Sequence, residues 1–528
     1  MADAIRVFRQ LKATPMPPTK REQVEILIVG SGPVGLSLAL DLVQRGRRVC
    51  LISERTFIPD GSKAICFAKR SLDYWDRLGV AERMIAKGVV WDTGKVFAGD
   101  SSDALFEFDM LPVKNQKNPG FINLQQYYVE QFLIDALEDA GVDIRWGHKA
   151  TSISQEIDGT SVTVAGVNGE YHIDASWVVA CDGHRSPIRH MLQLDFEGRI
   201  FEDNFLIADV KFVEERPSER WFWFDPPFCR GGSALLHKQP DDVWRLDFQL
   251  GWNIDRDAAI LPKNVEPYVK GLIGNDISFS KEWYSVYTFQ CRRMRAFVHD
   301  RVIFAGDSAH LVSPFGARGC NGGLQDAANL AWKLDLVVRG LASESLIDSY
   351  NHEAIAIADE NICHSTRSTE FITPKSAASR AFRDAVLELA ASHAFARPFV
   401  NSGRLSTPVS LPDSPLNTPD EDDWTAGMAP GSPLVDAALG DGWLLDRLGG
   451  AFIVVSNGAV PVPGGLDALD LAGCPGAQAA IERCGLPPGA AMLVRPDQYV
   501  AARWKSPSLS QIAAAFDRAK GINPDADA

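Results

Sequence analysis

The chain of 528 residues contains no run of about 18 uninterrupted apolar residues, so it offers no candidate membrane-spanning helix. It has no excess of positive charge. Its 53 Lys and Arg stand against 68 Asp and Glu, a net charge of −15. So acidic a surface disfavours broad contact with nucleic acid, whose phosphates need a basic footprint. None of the nine cysteines forms C-x-x-C. An odd count in a long chain argues against a disulfide framework, and the missing motif argues against dithiol redox work. His184, His190, His299 and His310 are dispersed without ligand spacing, so no metal site is expected. There is no internal repeat and no low-complexity tract. The amino terminus lacks the apolar stretch of a signal peptide, and residues 1–22 read as a flexible arm. A cytoplasmic, reducing location is the expectation, with no nucleic-acid or membrane partner.

What the chain does have is an ordinary globular balance, 46% hydrophobic and 23% charged. Its length implies about three domains. The first strong element is a strand-length apolar run at 24–29. Gly30-Ser31-Gly32-Pro33-Val34-Gly35 follows, then helical spacing over 36–45 and a second strand at 48–52. This is a β-α-β unit of about 30 residues. Gly30 permits a tight turn, Gly32 lets a pyrophosphate approach the backbone, and Gly35 lets the helix pack on the strand. Pro33 and Val34 open the helix, whose free amides and partial positive charge suit phosphate. Glu54 lies nineteen residues past Gly35, at the end of the second strand and beside Arg55, where a carboxylate accepts ribose hydroxyls. The fingerprint specifies a dinucleotide but does not choose between FAD and a nicotinamide.

Helices are expected at 66–80, 126–141, 322–340 and 343–370, and alternating short strands from 148 to 180. From 195 to 290 the chain is rich in aromatic, strand-like runs. Segments 233–238 and 243–250 flank a Pro-Asp-Asp turn and read as a hairpin. Residues 401–434 carry repeated prolines among Asp and Ser and read as a linker. The fold class expected is α/β. A Rossmann-like domain spans 23–190 and 291–400, a mixed β-sheet substrate domain (191–290) is inserted into it, and a small α/β unit occupies 435–528.

Two further segments bear on the nucleotide. Residues 178–189 run from a strand into Asp182-Gly183. Residues 301–310 are a strand ending in Gly306-Asp307, followed by Pro314-Phe315-Gly316-Ala317-Arg318-Gly319-Cys320-Asn321. With these three separated motifs in order, the chain resembles the class A flavoprotein aromatic hydroxylases, the para-hydroxybenzoate hydroxylase-like superfamily, and most of all the phenol and 3-(3-hydroxyphenyl)propionate hydroxylases. The resemblance covers roughly 23–390, with a fainter match beyond 430. It implies FAD as cofactor and NADH or NADPH as co-substrate. Asp307 is then the ribityl ligand, and Asp182-Gly183 lies near FAD and the nicotinamide path. Pro314, Gly319, Cys320 and Asn321 line the flavin, Cys320 as a small buried residue rather than a reactive thiol. Gln126 corresponds to a glutamine that reaches FAD. Lys63 stands where the family has Arg; it keeps the charge but loses the fork. The implied chemistry is transfer of oxygen from a C4a-hydroperoxyflavin, formed from O2, to an electron-rich phenolic or amino-substituted ring in aromatic catabolism. The stretch 494–504 looks like the thioredoxin-like appendage of phenol hydroxylases, and a homodimer is expected.

For the substrate, Trp221 and Trp223 share one face of a strand and Phe222 and Phe224 the other. The tryptophans are assigned to the ring site. His237, with Arg245 and Asp247 across the hairpin, is a candidate for phenol deprotonation or carboxylate binding. Arg318 and Pro314, beside the flavin loop, are lesser catalytic candidates. Two competing readings remain. One is a flavin-dependent halogenase, whose W-x-W-x-I-P segment Trp221-x-Trp223-x-Asp225-Pro226 resembles only superficially, with Asp225 for Ile and Arg220 where Gly is expected. The other is a non-catalytic flavin-binding protein.

Overall fold

The near-continuous apolar runs around 24–29, 178–180 and 302–304 become strands buried on both faces, as parallel pairing requires. In the computed structural model, which describes residues 7–110, 114–156, 159–214, 216–400 and 406–522, they lie side by side. The first sheet runs Asp143–Trp146, Val49–Ser53, Arg21–Val29, Gly169–Ala180, Gly159–Gly166 and Lys149–Glu156, with Val302–Phe304 also on Gly169–Ala180. The neighbours from Asp143–Trp146 through Gly169–Ala180, and Val302–Phe304, are parallel. Register aligns Val29 with Ala180 and Ala180 with Phe304. Three chain segments far apart in sequence therefore end together at one carboxyl edge. The helices Gln126–Asp139 and Gly319–Val338 both pack on Pro33–Gln44 beside this sheet.

The second sheet runs His310–Leu311, Phe279–Arg293, Glu197–Phe212, Val243–Leu250, Ser233–Lys238, Arg220–Phe224, Thr93–Ala98 and Phe106–Asp109. The hairpin turns at Asp241 and Asp242, both at positive φ (62° and 57°). One face carries Trp223, Leu236, Trp244, Leu246 and Phe248 against Val265, Val269 and Leu272 of the helix Pro262–Ile273. The other face meets Phe315 of the loop after Gly306–Ser308, and Ser62. Thr93–Ala98 and Phe106–Asp109 come from within the span 23–190, and His310–Leu311 from within 291–400, both assigned to the cofactor domain, so this sheet borrows three strands from outside 191–290.

Beyond residue 434, a four-stranded sheet runs Asp467–Asp470, Ile453–Ser456, Ala491–Val494, Val500–Trp504, its first pair parallel and the rest antiparallel. Its apolar layer includes Phe452, Val454, Leu493 and Trp504, packed with Trp332 and Leu346 of the helices Gly319–Val338 and Ser345–Ile372. No described helix is long and apolar enough to cross a membrane.

Three expectations are corrected. Within the expected flexible arm, Val7–Gln10 pairs with Phe57–Pro59, Arg9 meets Asp135 at 2.9 Å, and Leu11 is buried; residues 1–6 lie outside the described residues. Among its described residues, the proline-rich segment forms no helix or strand, consistent with the donors its prolines remove. From 406 onward it is nevertheless a packed strap, with Val409, Leu411 and Leu416 buried. Third, the expected helix over 66–80 begins later. Cys66–Ala68 is a strand, and the helix is Lys69–Arg77.

A buried ion network joins the last unit to the cofactor side. Arg495 pairs with Glu353 (Nη2 to Oε2, 2.9 Å) and Asp497 (Nε to Oδ1, 3.0 Å), and Lys333 reaches Glu353 at 2.7 Å. These side chains are almost wholly shielded from water. The two cations hold the Glu353 carboxyl far below its usual range, although burial alone opposes that. Removing one partner of such a network strands the other charges. Arg495→Ala is expected to lower unfolding stability by about 3–5 kcal/mol in urea titrations; a loss below about 1 kcal/mol would show that the network does not hold the unit in place.

Candidate cofactor and substrate cleft

The glycine loop divides its labour. Gly30 sits at φ +115°, and a Cβ there would lie 2.3 Å from the Cys181 carbonyl oxygen; a Cβ at Gly35 would lie 2.2 Å from the Gly30 oxygen. Both are fixed by backbone contact. Gly32 is different: a Cβ there meets nothing within 4 Å. It faces open space at the start of Pro33–Gln44, a helix with Pro at its first position, no side-chain cap and no acidic residue in its first turn. Its leading amides are free to bind an anion. The helix Gly319–Val338 also starts uncapped, and its first turn is also without acidic residues. Val34, Gly306 and Gly323 hold the two starts together. A Cβ on Gly323 would lie 2.7 Å from Val34 Cγ2 and 3.0 Å from Gly306 Cα.

Charged side chains surround this opening. Asp307, on the turn Gly306–Ser308, is exposed and makes no hydrogen bond or ion pair with any described residue. Crowding by protein raises its pKa, opposed by His310, His184 and Lys63 nearby. Lys63 is accessible, yet the walls around it and then Arg55 pull its pKa below the usual lysine range. Arg55 lies 3.6 Å from the buried Glu130, and its Nη1 has no hydrogen-bond partner. Gln126 accepts from Ala64 N (3.1 Å) and donates to Glu130 (2.7 Å), so it fixes the backbone beside Lys63. Glu54 is exposed at the strand end, 3.3 Å from Lys149. These groups fit a dinucleotide: an open amide cradle, an unengaged carboxylate and a basic rim.

Other expected site residues serve the frame. Asp182 Oδ2 accepts from Ile188 N at 3.0 Å, while its Oδ1 is buried without a partner. The Asn321 side chain is fully used. It accepts from Ala68 N (3.0 Å) and Ser71 Oγ (2.6 Å) and donates to Cys66 O (3.0 Å) and Ala317 O (2.6 Å). Arg318 is buried and donates to Asn361 Oδ1 at 3.0 Å. Burial raises the Cys320 thiol far above its usual range. Pro314 is exposed, and Gly319 begins the helix. One support was not singled out from sequence. Asp326 Oδ2 accepts from Gly306 N (2.9 Å) and pairs with His310 Nε2 (2.6 Å), bracing the Asp307 turn.

The facing sheet shows which side of the aromatic strand matters. Trp221 and Trp223 pack with Phe97 and Phe228 in the layer under Pro262–Ile273, on the far side. Phe222 shares a cluster with Phe201, Phe205, Leu235, Phe289 and Phe315, the last from the loop after Asp307. The tryptophans expected at the ring site therefore lie on the face opposite the one that carries Phe222. The alternation separated the two faces, but a two-faced strand does not say which one meets the cleft. His237 and Arg245 do lie on the cleft face. Arg245 is committed to Asp247 (3.0 Å) and to Ser62 O (2.8 Å). Ser62 Oγ donates to the buried Asp209 at 2.9 Å, whose pKa is raised to about 7, chiefly by burial. Burial, then Arg220 and Arg245, push the His237 pKa well below the usual imidazole range.

Gly32→Ala is compatible with the fold, since its φ of −79° suits alanine and the methyl meets nothing within 4 Å. It is expected to fold with an unchanged melting temperature but to bind FAD at least tenfold more weakly by calorimetry. Unchanged FAD affinity would mean that Gly32 does not face the nucleotide.

Residues 23–365 match the family described as FAD binding domain. The chain is 30% identical over 375 residues to the 12-dehydrotetracycline 5-monooxygenase/anhydrotetracycline 6-monooxygenase of Streptomyces rimosus, covering 69% of this chain and 73% of that one. It is 28% identical to a 3-(3-hydroxy-phenyl)propionate/3-hydroxycinnamic acid hydroxylase of Mycolicibacterium smegmatis, covering 69% and 64%. It is also 28% identical to a 6-methylpretetramide 4-monooxygenase of Streptomyces rimosus, over 92% of both. The fold is that of the flavin-dependent monooxygenase PieE, solved with FAD and substrate, at TM-score 0.79 and 19% identity over 95% of this chain and all of that one. The open glycine cradle, the unengaged Asp307 and these likenesses converge: the chain belongs to the FAD binding domain family and is, with its named relatives, a flavoprotein monooxygenase.

Proposed function

We propose that the protein hydroxylates an electron-rich, phenolic or amino-substituted ring, with NADH or NADPH as electron donor and O2 as oxygen source. One observation carries this reading: Phe315, from the cofactor loop, packs directly with Phe205 and Phe289 of the facing sheet, in the cluster that Phe222 and Leu235 join. An apolar aromatic wall thus abuts the place where the three strand ends meet. When bound, FAD supplies the reduction of O2 that no side chain performs.

The chain's own residues do the rest. Gly32 and the uncapped start of Pro33–Gln44 bind the pyrophosphate, Glu54 the ribose, and Asp307 the ribityl hydroxyls. Asn321 fixes Cys66–Ala68 to the loop that would lie against the ring-bearing part of the cofactor. The uncapped start of Gly319–Val338 favours negative charge on the group lying against it. Phe222, Phe289 and Phe315 exclude water and orient the ring; both matter because activated oxygen must meet carbon before water. The Trp221-x-Trp223 segment lies in the layer remote from the cofactor loop, so nothing in the cleft favours the halogenase reading. The last unit is inferred to be thioredoxin-like in topology, supported by its strand order and by Gln478–Cys484 and Leu509–Ala519 flanking Ala491–Trp504. Its cysteines, Cys474 and Cys484, sit apart from any C-x-x-C pattern, so its role is structural.

The test is anaerobic mixing of the yellow protein with NADH or NADPH, with and without phenols of one to four rings, then aerobic turnover under 18O2. Expected are bleaching that a phenol accelerates and a product heavier by one 18O atom. Bleaching that yields only hydrogen peroxide across the panel would contradict the proposal.

A further inference from the structure

The cleft face of the second sheet is chemically split, and the register makes the split legible. Trp221 pairs with Leu236, so one step further along the same pair Arg220 stands across from His237. His237 pairs with Arg245, and Arg245 with Asp209. A polar row, Arg220–His237–Arg245–Asp209, therefore crosses four strands. The adjacent row on this face begins with Phe222 and Leu235, and the one after it with Phe224. Residues two apart on a strand lie about 6.6 Å apart, roughly one aromatic ring with its substituent.

The members of the polar row are not equally engaged. Arg245 is spent on Asp247, Ser62 O and Lys63 O. Asp209 is spent on Ser62. The Arg220 guanidinium is half-buried and makes no hydrogen bond or ion pair with any described residue, although Cys66, Asp247 and Arg245 surround it. His237 is 3% exposed, and its Nδ1 is buried without a partner. Its Nε2 stands 3.9 Å from Asp247 Oδ2, too far for a hydrogen bond. Asp247 already neutralises Arg245. The row thus holds one guanidinium without a direct partner and one unspent imidazole nitrogen, side by side, at the edge of an aromatic wall. A half-buried guanidinium without a partner is costly unless a ligand supplies the anion.

We propose that Arg220, assisted by His237, is an anion subsite that binds a negatively charged oxygen group of the substrate while its ring lies against Phe222 and Phe315. Arg220 is then a specificity-determining residue, and the substrate class narrows to acidic aromatics, carrying a carboxylate or an ionised phenol or enol about one ring length from the aromatic wall. This rests on the proposed ring-hydroxylating function, which supplies the aromatic ligand.

The experiment uses the holoenzyme and reads ligand binding from the perturbation of the flavin absorbance, without turnover. Probes are 3-(3-hydroxyphenyl)propionate, its methyl ester, 4-nitrophenol above its pKa, and 3-methylphenol. Wild type is expected to bind at least one of the two anions tenfold or more tighter than the neutral probes. A preference for the propionate over its ester identifies a carboxylate; a preference for the nitrophenolate identifies an ionised hydroxyl. Arg220→Gln is expected to abolish that preference, raising the anion's Kd at least twentyfold while the neutral probes shift less than threefold. Arg220→Lys should restore part of it, and His237→Gln should weaken anion binding by about tenfold. FAD content per chain, measured on each variant, separates a folding defect from lost recognition. No anion preference in wild type, or a preference that survives Arg220→Gln, overturns the subsite. Because binding is read without chemistry, a failure of the monooxygenase reading appears instead as anion-selective binding with no oxygenated product.

Discussion

The arrangement depends on one constraint: three parallel strands stop in register. Val29, Ala180 and Phe304 are neighbours across the sheet, so the residues after them must share one edge. Hydrogen-bond register does this, because parallel pairing leaves little freedom in where adjacent strands end relative to one another. A Cβ on Gly30 would strike the Cys181 carbonyl and one on Gly306 would press on Val34, so side chains are excluded at both turns, and Asp307 is delivered to an opening it did not have to find by loop flexibility. The cost of ordering long connections is met once, by the sheet, and the site inherits the precision.

A second sheet turns that opening into a cleft. Its distal face is apolar and closed by Pro262–Ile273; its near face is part aromatic and part charged. Arg245 donates to the carbonyls of Ser62 and Lys63, which ties the segment that carries Lys63 to this sheet. The last unit braces the same assembly from behind through Arg495 and Glu353, on the helix next to the one whose start faces the opening.

Much of this was legible in the residues. The strand–glycine–helix unit, the Asp307 turn, the hairpin and the long helices follow from spacing, because local periodicity determines them. What was hidden depends on long-range contact. Composition presents 406–434 as a linker, but burial of Val409, Leu411 and Leu416 against distant elements is not a local property. Alternation separates Trp221 from Phe222 without saying which looks inward. Asn321 was expected to touch the cofactor, yet its side chain is exhausted by four protein contacts; only its place at a helix start carries the motif. Arg220 was noticed only as a mismatch to another family, whereas its missing partner is visible once the register puts it beside His237.

The central claim is that three converging loops hold one FAD per chain, with Asp307 as the carboxylate not already engaged by the protein. Its most direct test is calorimetric titration of FAD into apoprotein, wild type against Asp307→Ala. One FAD per chain, with affinity reduced at least tenfold in the variant and an unchanged melting temperature of the apoprotein, is the result predicted. Equal affinity in both proteins, or no FAD binding by wild type, would contradict the account.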